Sequence, residues 1–266
     1  MRNPADRTDT TRAHSARVYD YILGGEDHYP VDAEAGDAMC RHWPALPVHM
    51  RENRRFMHRA GHYLAEEKGI RQFLDIGAGL PTSPNLHEIV QGVAPESRVI
   101  YVDNDPTVLA HAEAPLDGSP EGATAYIDAD MRDPDTITGS PRFRELLDLD
   151  EPVGLMVIGI MHFIRPPEDQ PLVQRLLEPL PSGSYLAMTI GTGDFAPEEV
   201  GRVAEEYERQ NMPMVLRDLA TATSFFDGLE LVEPGVTQVH KWRPGVGQQD
   251  VDDRDIAMYG AVAHKP

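Results

Sequence analysis

Apolar residues along this chain fall into short dense runs, separated by stretches in which they recur every three or four positions. The runs at 71–76, 98–103, 123–128, 153–160 and 184–190 have the length and continuity of strands buried on both faces. The stretches near 83–93, 105–113, 141–148, 167–179, 197–209 and 216–227 read as helices. Ser83-Pro84 and Asp105-Pro106 each place a capping side chain before a proline suited to the first helical turn. Strands alternating with helices of this length predict a doubly wound α/β sheet. Two more strand-like runs, 236–242 and 257–263, follow near the C-terminus.

The first seventy residues have a different pattern. Residues 1–15 are polar and predict a disordered tail. Arg17-Val18-Tyr19-Asp20-Tyr21-Ile22-Leu23-Gly24-Gly25 predicts a helix stopped by paired glycines. A second short helix is expected at 31–41 and a third at 48–68. In the third, Phe56, Met57, Ala60, Tyr63 and Leu64 share one face, with Arg and Glu opposite. The chain thus divides into a tail (1–15), a helical cap or lid (16–69) and an α/β domain (70–266).

The candidate chemistry lies where the first two strands end. Phe73-Leu74-Asp75-Ile76-Gly77-Ala78-Gly79 and Val99-Ile100-Tyr101-Val102-Asp103 form a strand, glycine turn, helix, strand and acid. In open α/β sheets that unit binds the adenosine part of a cofactor. Gly77 and Gly79 permit a sharp turn and a close approach of backbone to ligand. Asp103 can accept hydrogen bonds from both ribose hydroxyls. The dinucleotide fingerprint needs a third glycine, and Leu80-Pro81-Thr82 lacks it. Pro81 has no N–H to offer a pyrophosphate, and Asp75 would repel one. Asp75 suits a ligand carrying an ammonium and a sulfonium, so S-adenosylmethionine fits better than a nicotinamide dinucleotide. The plain alternative is an ordinary strand-to-turn junction.

Composition narrows the partners. The 266 residues carry a formal net charge of −20, which opposes nucleic acid and anionic membrane surfaces. No apolar run reaches the roughly 18–20 residues of a spanning helix. The N-terminus lacks the pattern of a secretory signal. The single cysteine, Cys40, excludes an internal disulfide and a cysteine metal cluster. A cytoplasmic protein without a metal site is expected. The eleven histidines are scattered, His42, His49 and His87 among them. His58 and His62 stand four apart on a helix but lack the glutamate of a metalloprotease motif. The acidic runs 128–135 and 250–255 read as solvated loops.

Three segments together resemble a known family: Arg17 to Gly25, Phe73 to Thr82, and Val102-Asp103-Asn104-Asp105-Pro106. The late runs Phe226 to Gly235 and Trp242-Arg243-Pro244 fit as well. The chain resembles, from about residue 14 to its end, the S-adenosyl methyltransferase family common in actinobacteria, long catalogued as a domain of unknown function. The resemblance implies a class I methyltransferase (Rossmann-like) sheet of seven strands, the last antiparallel. It implies S-adenosyl-L-methionine as cofactor and S-adenosyl-L-homocysteine as product. It brings no substrate.

Laid on these residues, the resemblance puts the methionine-binding turn at Asp75, Gly77 and Gly79, with Asp75 holding the ammonium, and the ribose acid at Asp103. Asn104 would contact adenine. Asp130 would take its exocyclic amine, and the Met131 amide would donate to the ring. Gly159 and His162, beyond the fourth strand, should lie near the methyl group. His162 could act as a general base or only orient a substrate. Methyl transfer needs mainly alignment and desolvation. No Asn/Asp-Pro-Pro-Tyr follows the fourth strand, which disfavours amino-methylation of nucleobases or glutamine. In the N-terminal motif Arg17 would approach the methionine carboxylate, with Tyr19 or Tyr21 near the methyl; the plain alternative is a helix that only packs on the sheet.

Three functions therefore compete. The first is S-adenosylmethionine-dependent methyl transfer to a small molecule, with a homodimer possible. The second is a non-catalytic sensor of the cofactor or its product. The third is a nicotinamide-dependent oxidoreductase. A ligand-sized cavity beyond the fourth strand would favour the enzyme, and a cavity filled by the N-terminal segment the sensor.

Overall fold

The computed structural model describes residues 8–112, 118–245 and 250–266. The expected disorder of residues 1–7 and the expected helix end at Glu113 lie outside them. Three helices come first: α1 (Ser15–Leu23), α2 (Pro30–His42) and α3 (Leu46–Glu66). The alternating region follows with β1 (Gln72–Ile76), α4 (Leu86–Val93), β2 (Arg98–Asp103), α5 (Pro106–Ala112) and β3 (Ala123–Asp128). Next come α6 (Pro134–Gly139), α7 (Pro141–Leu146), β4 (Gly154–Val157), α8 (Asp169–Leu177), β5 (Tyr185–Gly191), α9 (Pro197–Arg209) and α10 (Leu219–Ser224). Two-residue strands β6 (Glu230–Leu231) and β7 (Thr237–Gln238) precede the last strand, β8 (Met258–His264).

The strands form one sheet in the order β3-β2-β1-β4-β5-β8-β6, with β7 also on β8. β1 to β5 are parallel, and β8 runs antiparallel to β5 from Tyr185↔His264 to Gly191↔Met258. The chain winds outward from β1 through β2 to β3, then returns to β4 on the other side. That reversal opens a crevice at the carboxyl ends of β1 and β4, where ligands bind in such sheets. The expected sheet of seven strands with the last antiparallel is present; the short β6 and β7 bring the count to eight.

Each face of the sheet buries its own core, because successive side chains of a strand point to opposite sides. Leu74, Ile76, Val102, Leu155 and Met188 pack under α6, α7, α8 and α10. Phe73, Val99, Met156 and Ala187 pack under α3 and α4, together with the fully buried Trp242. A third cluster joins the first fifty residues to the late helix α9: Val18, Met39, Trp43 and Met50 meet Val200, Val203 and Tyr207. The N-terminal helices therefore roof the crevice.

Several local readings change. The tail expectation gives way from Thr8 onward. Ala13 is buried, the Asp9 and Arg12 carbonyls accept from Arg17 Nη2, and Thr8 pairs with Thr107. Helix α4 starts two residues late, because Asn85 and Glu88 form a reciprocal capping box while the Ser83 hydroxyl donates to Glu88. The run 153–160 stops as strand at Val157, since Gly159 takes φ +70° and turns the chain.

Candidate active site

A cavity of about 600 Å³ opens at the carboxyl ends of β1, β2 and β4, within the roughly 300–1,000 Å³ usual for small-molecule sites. Its floor is the glycine turn. The Gly77 and Ala78 amides both donate to Val102 O, at 2.8 and 3.1 Å, so the turn folds back on β2. Gly77 sits at φ +72°, and a Cβ there would fall 2.2 Å from Ile160 Cδ1. The tip of Ile160 can swing aside; the left-handed backbone remains costly for any side chain. Gly77→Ala is expected to lower the unfolding free energy by about 1–3 kcal/mol, read by urea denaturation. Unchanged stability would mean the turn is free to relax.

Asp103 ties the turn to β2. Its Oδ2 accepts from the Gly79 amide and its Oδ1 from the Asp105 amide, both at 2.9 Å. Burial raises its carboxyl above the ordinary range, against the opposing pull of those amides. Each oxygen keeps a further lone pair for ribose hydroxyls.

Asp75 is 8% exposed, lines the cavity and receives no hydrogen bond from the described residues. Burial drives its carboxyl up to about 7; the Arg54 guanidinium opposes this and Asp103 adds to it. A buried carboxyl without a donor needs a cation. The sign for stability follows. Between about pH 4 and 7 the folded chain holds a proton here that the unfolded chain has lost. The ligand-free protein should therefore lose stability as pH rises through that window, by up to about 1.4 kcal/mol per pH unit. Asp75→Asn should flatten this component, as compared by urea denaturation at pH 5 and pH 8. Identical pH dependence in both proteins would refute the assignment.

At the β3 end, Asn104 Nδ2 donates to Asp130 Oδ2 at 3.1 Å, and Arg132 donates to Asp130 from its backbone and guanidinium. Burial pushes the Asp130 carboxyl upward, but the bonds from Arg132 outweigh it and hold it low. Met131 is buried and, with Asn104 and Asp130, lines the cavity. These three form a rim suited to a flat heterocycle.

The N-terminal motif is arranged differently from the sequence expectation. The donors of Arg17 are spent on the chain itself: Nε on Asp32 Oδ2 at 2.9 Å, Nη2 on the carbonyls of Asp9 and Arg12, and Nη1 on Thr107 Oγ1 of α5 at 3.4 Å. Arg17 also stands 3.8 Å from Asp105, on the β2 side of the cavity. Tyr21 is not among the lining residues, and its hydroxyl donates to Asp37 at 2.7 Å. It is corrected to a contact between α1 and α2. Tyr19 does line the cavity, but its hydroxyl donates to Met50 O at 3.0 Å and accepts from Asn53 Nδ2 at 3.3 Å. The guanidinium facing Asp75 is that of Arg54, whose Nη2 donates to the carbonyls of Thr82 and Pro84. Sequence reasoning missed Arg54 because the helix's periodicity marks only its apolar face as buried and sets the arginines opposite.

Past β4 the lining becomes apolar. Gly159 is pinned by its amide to Thr189 Oγ1 at 2.8 Å, and a Cβ there would fall 2.9 Å from Asn53 Nδ2. His162 follows on a 3-10 turn at Met161–Phe163. It is 7% exposed, and burial, with His49 and Arg217 nearby, pulls its imidazole down to about 3. It is therefore neutral at pH 7, and too weak to deprotonate a substrate in advance. His58 and His62 do not converge: one ring meets Pro84 O and the other Glu66. Among the described residues no group of three or more His, Cys, Asp or Glu is placed to hold a metal.

An open parallel sheet with a reversed last strand, a glycine turn and a ribose-type acid at its switch point defines a class I methyltransferase architecture. A family profile described as S-adenosyl methyltransferase matches residues 1–266. The chain belongs to that family, and its cofactor is S-adenosylmethionine. A solved Streptomyces avermitilis protein of the DUF574 family is 65% identical with TM-score 0.95, over 97% of this chain and 99% of that one. A Thermobifida fusca protein described as a candidate methyltransferase is 36% identical with TM-score 0.89, over 97% and 96%. An Anabaena variabilis S-adenosylmethionine-dependent methyltransferase shares the fold at 14% identity and TM-score 0.51, over 95% and 96%. Comparison with curated proteins finds no match. The residues present fit the cofactor: an unpartnered buried carboxyl at Asp75, a cradle at Gly77 that a Cβ would fill, and an acid at Asp103. No described helix is long and apolar enough to cross a membrane.

Proposed function

We propose that the protein transfers the methyl group of S-adenosylmethionine directly to a small molecule held in the chamber beyond β4. The observation that carries this reading is a single cavity lined by the glycine turn and Asp103 and also by His162, Phe163 and Tyr207. In this reading Asp75 takes the cofactor's ammonium and Arg54 its carboxylate. Asp103 takes the ribose hydroxyls, and the rim of Asn104, Asp130 and Met131 takes the adenine. The cofactor supplies a methyl group on a positively charged sulfur. The chain aligns the acceptor with it and excludes water, which is where most of the rate in such a displacement comes from.

Among the described residues, the N-terminal segment walls the cavity through residues such as Ala13, His14 and Ser15 and does not fill it. That supports an enzyme over a sensor.

The test is calorimetric titration with S-adenosylmethionine, S-adenosylhomocysteine and NADH. Micromolar binding of the first two and none of the third is expected. Binding of NADH alone, or of nothing, would overturn the assignment of the site.

A further inference from the structure

Two buried histidines stand in the apolar chamber, and their hydrogen bonds are incomplete. His49 is 6% exposed and lies on α3 against Trp43, with ring centroids 5.1 Å apart. Its Nδ1 accepts from the Ala257 amide at 3.2 Å. An accepting nitrogen carries no proton, so in the neutral ring the N–H sits on Nε2. No described group accepts from that Nε2, and the residue lines the cavity.

His162 is less satisfied. Its ring stands 4.3 Å from Phe163, and a Cβ on Gly191 would lie 3.2 Å from its Cβ, so one side is packed against β5. Neither ring nitrogen is hydrogen-bonded to a described residue, and Nδ1 is fully buried. Its backbone is fixed all the same. His162 O accepts from Val215 N at 2.7 Å, and Arg217 donates to Met161 O and Ile164 O on either side. A rigidly held imidazole with no partner is costly, and a ligand can complete it only at Nε2, because Nδ1 is sealed from the cavity. Burial keeps both rings neutral at pH 7, pulling His49 to about 4 and His162 lower still.

The walls around them are Trp43, Met50, Phe163, Val203, Tyr207 and Met212, which belong to one packed cluster. The charged lining residues lie elsewhere: Asp75, Arg54, Asp103, Asp105, Asp130 and Arg132 at the cofactor end, Asp9, Arg12, Arg17 and Asp20 on the N-terminal segment and α1.

We propose, building on the methyltransferase reading above, that this chamber binds a neutral, largely apolar substrate by a single hydroxyl group, which accepts from His49 Nε2–H and donates to His162 Nε2. A hydroxyl offers one donor and two acceptor lone pairs, matching the fixed donor of His49 and, with the His162 proton on Nδ1, the acceptor at His162 Nε2. An ammonium finds no carboxylate among the two histidines and the apolar walls, and a carboxylate finds no cation. The hydroxyl oxygen is then the methyl acceptor. Its new C–O bond replaces the cofactor's C–S bond, whose electron pair stays on sulfur, and the hydroxyl proton passes to His162 Nε2 and on to solvent. Because His162 is a weak base, the proton leaves late, from an oxygen already made strongly acidic by its third bond.

The test uses the full chain saturated with S-adenosylhomocysteine, whose own binding is measured first. Four probes of one shape are titrated: 2-naphthol, 2-methoxynaphthalene, 2-naphthoate and 2-naphthylmethylamine. The hydroxyl probe should bind at least about tenfold more tightly than each of the others. His162→Phe should erase that advantage. As a readout free of variants, 2-naphthol should shift the ring nitrogen resonances of His49 and His162 in 15N-labelled wild-type protein. The ligand-free spectrum should show His49 as the neutral Nε2–H tautomer. Equal affinity for the hydroxyl and the ether, preference for a charged probe, no binding of any probe, or ring signals that do not move would each overturn the proposal. Failure of the wild-type protein to bind S-adenosylhomocysteine would overturn the cofactor site instead.

Discussion

Asp103→Ala is expected to abolish measurable binding of S-adenosylhomocysteine while leaving the chain folded. The carboxylate holds the Gly79 amide and caps the Asp105 amide, and in the proposed site it also receives the ribose hydroxyls. Charge-assisted hydrogen bonds are worth about 1.5–3 kcal/mol each. Losing two to the ribose weakens binding by roughly 10²- to 10⁴-fold, before any disorder of the turn is counted. The fold should suffer less, because burial already disfavours this charge and raises its carboxyl. Asp103→Asn keeps one acceptor oxygen but turns an NH₂ toward one of the two amides, so it should lose affinity by an intermediate factor. Calorimetry beside thermal melting separates the two effects. S-adenosylhomocysteine affinity within about tenfold of wild type in Asp103→Ala would show that the ribose lies elsewhere.

The largest expected effect on stability lies at Arg217. Its side chain is buried, with Nη2 2.7 Å and Nε 3.2 Å from Asp169 Oδ2, and it donates to the carbonyls of Met161, Ile164 and Val215. Arg217→Met leaves a buried carboxylate without its cation and the Ile164 and Val215 carbonyls without a donor, while Met161 O keeps the Ile164 amide. Removing one partner of a buried pair costs about 3–5 kcal/mol. Converting both, as Arg217→Met with Asp169→Leu, removes the stranded charge and should recover part of the loss. Urea denaturation of the two variants checks this. A single variant as stable as wild type would mean that water reaches and solvates Asp169.

The parallel core of the sheet was legible because a strand buried on both faces must be nearly continuous in apolar residues. β1, β2 and β5 are such runs. The glycine turn and its two acids were legible for the same local reason, since backbone turn, strand end and carboxylate are neighbours in sequence. β6 and β7 were not, because two residues carry no period and these strands exist only through pairing with β8. The substrate chamber was the least legible. His49, Asn53 and Arg54 lie on a helix whose periodicity marks Phe56 and Leu64 as core, and nothing local says that a second stretch of its surface faces a cavity. Arg17 and Tyr21 stand out as unusual, yet their side chains hold α1 to α2 and to the segment before it. A distinctive motif reports constraint, and here part of that constraint is the assembly of the roof.

That roof has a consequence for synthesis. Trp43 and Met50 share a core with Val203 and Tyr207, residues more than 150 positions later. At ribosomal rates of about 5–20 residues per second, the two halves of this core are made roughly 10–30 s apart. For that interval the apolar residues of α1 and α2 that meet α9 lack that surface, while α3 already has Phe73 and Val99 to cover. The surfaces of α1 and α2 that face α9 are therefore among the last of this core to be covered, and among those most in need of protection from aggregation meanwhile.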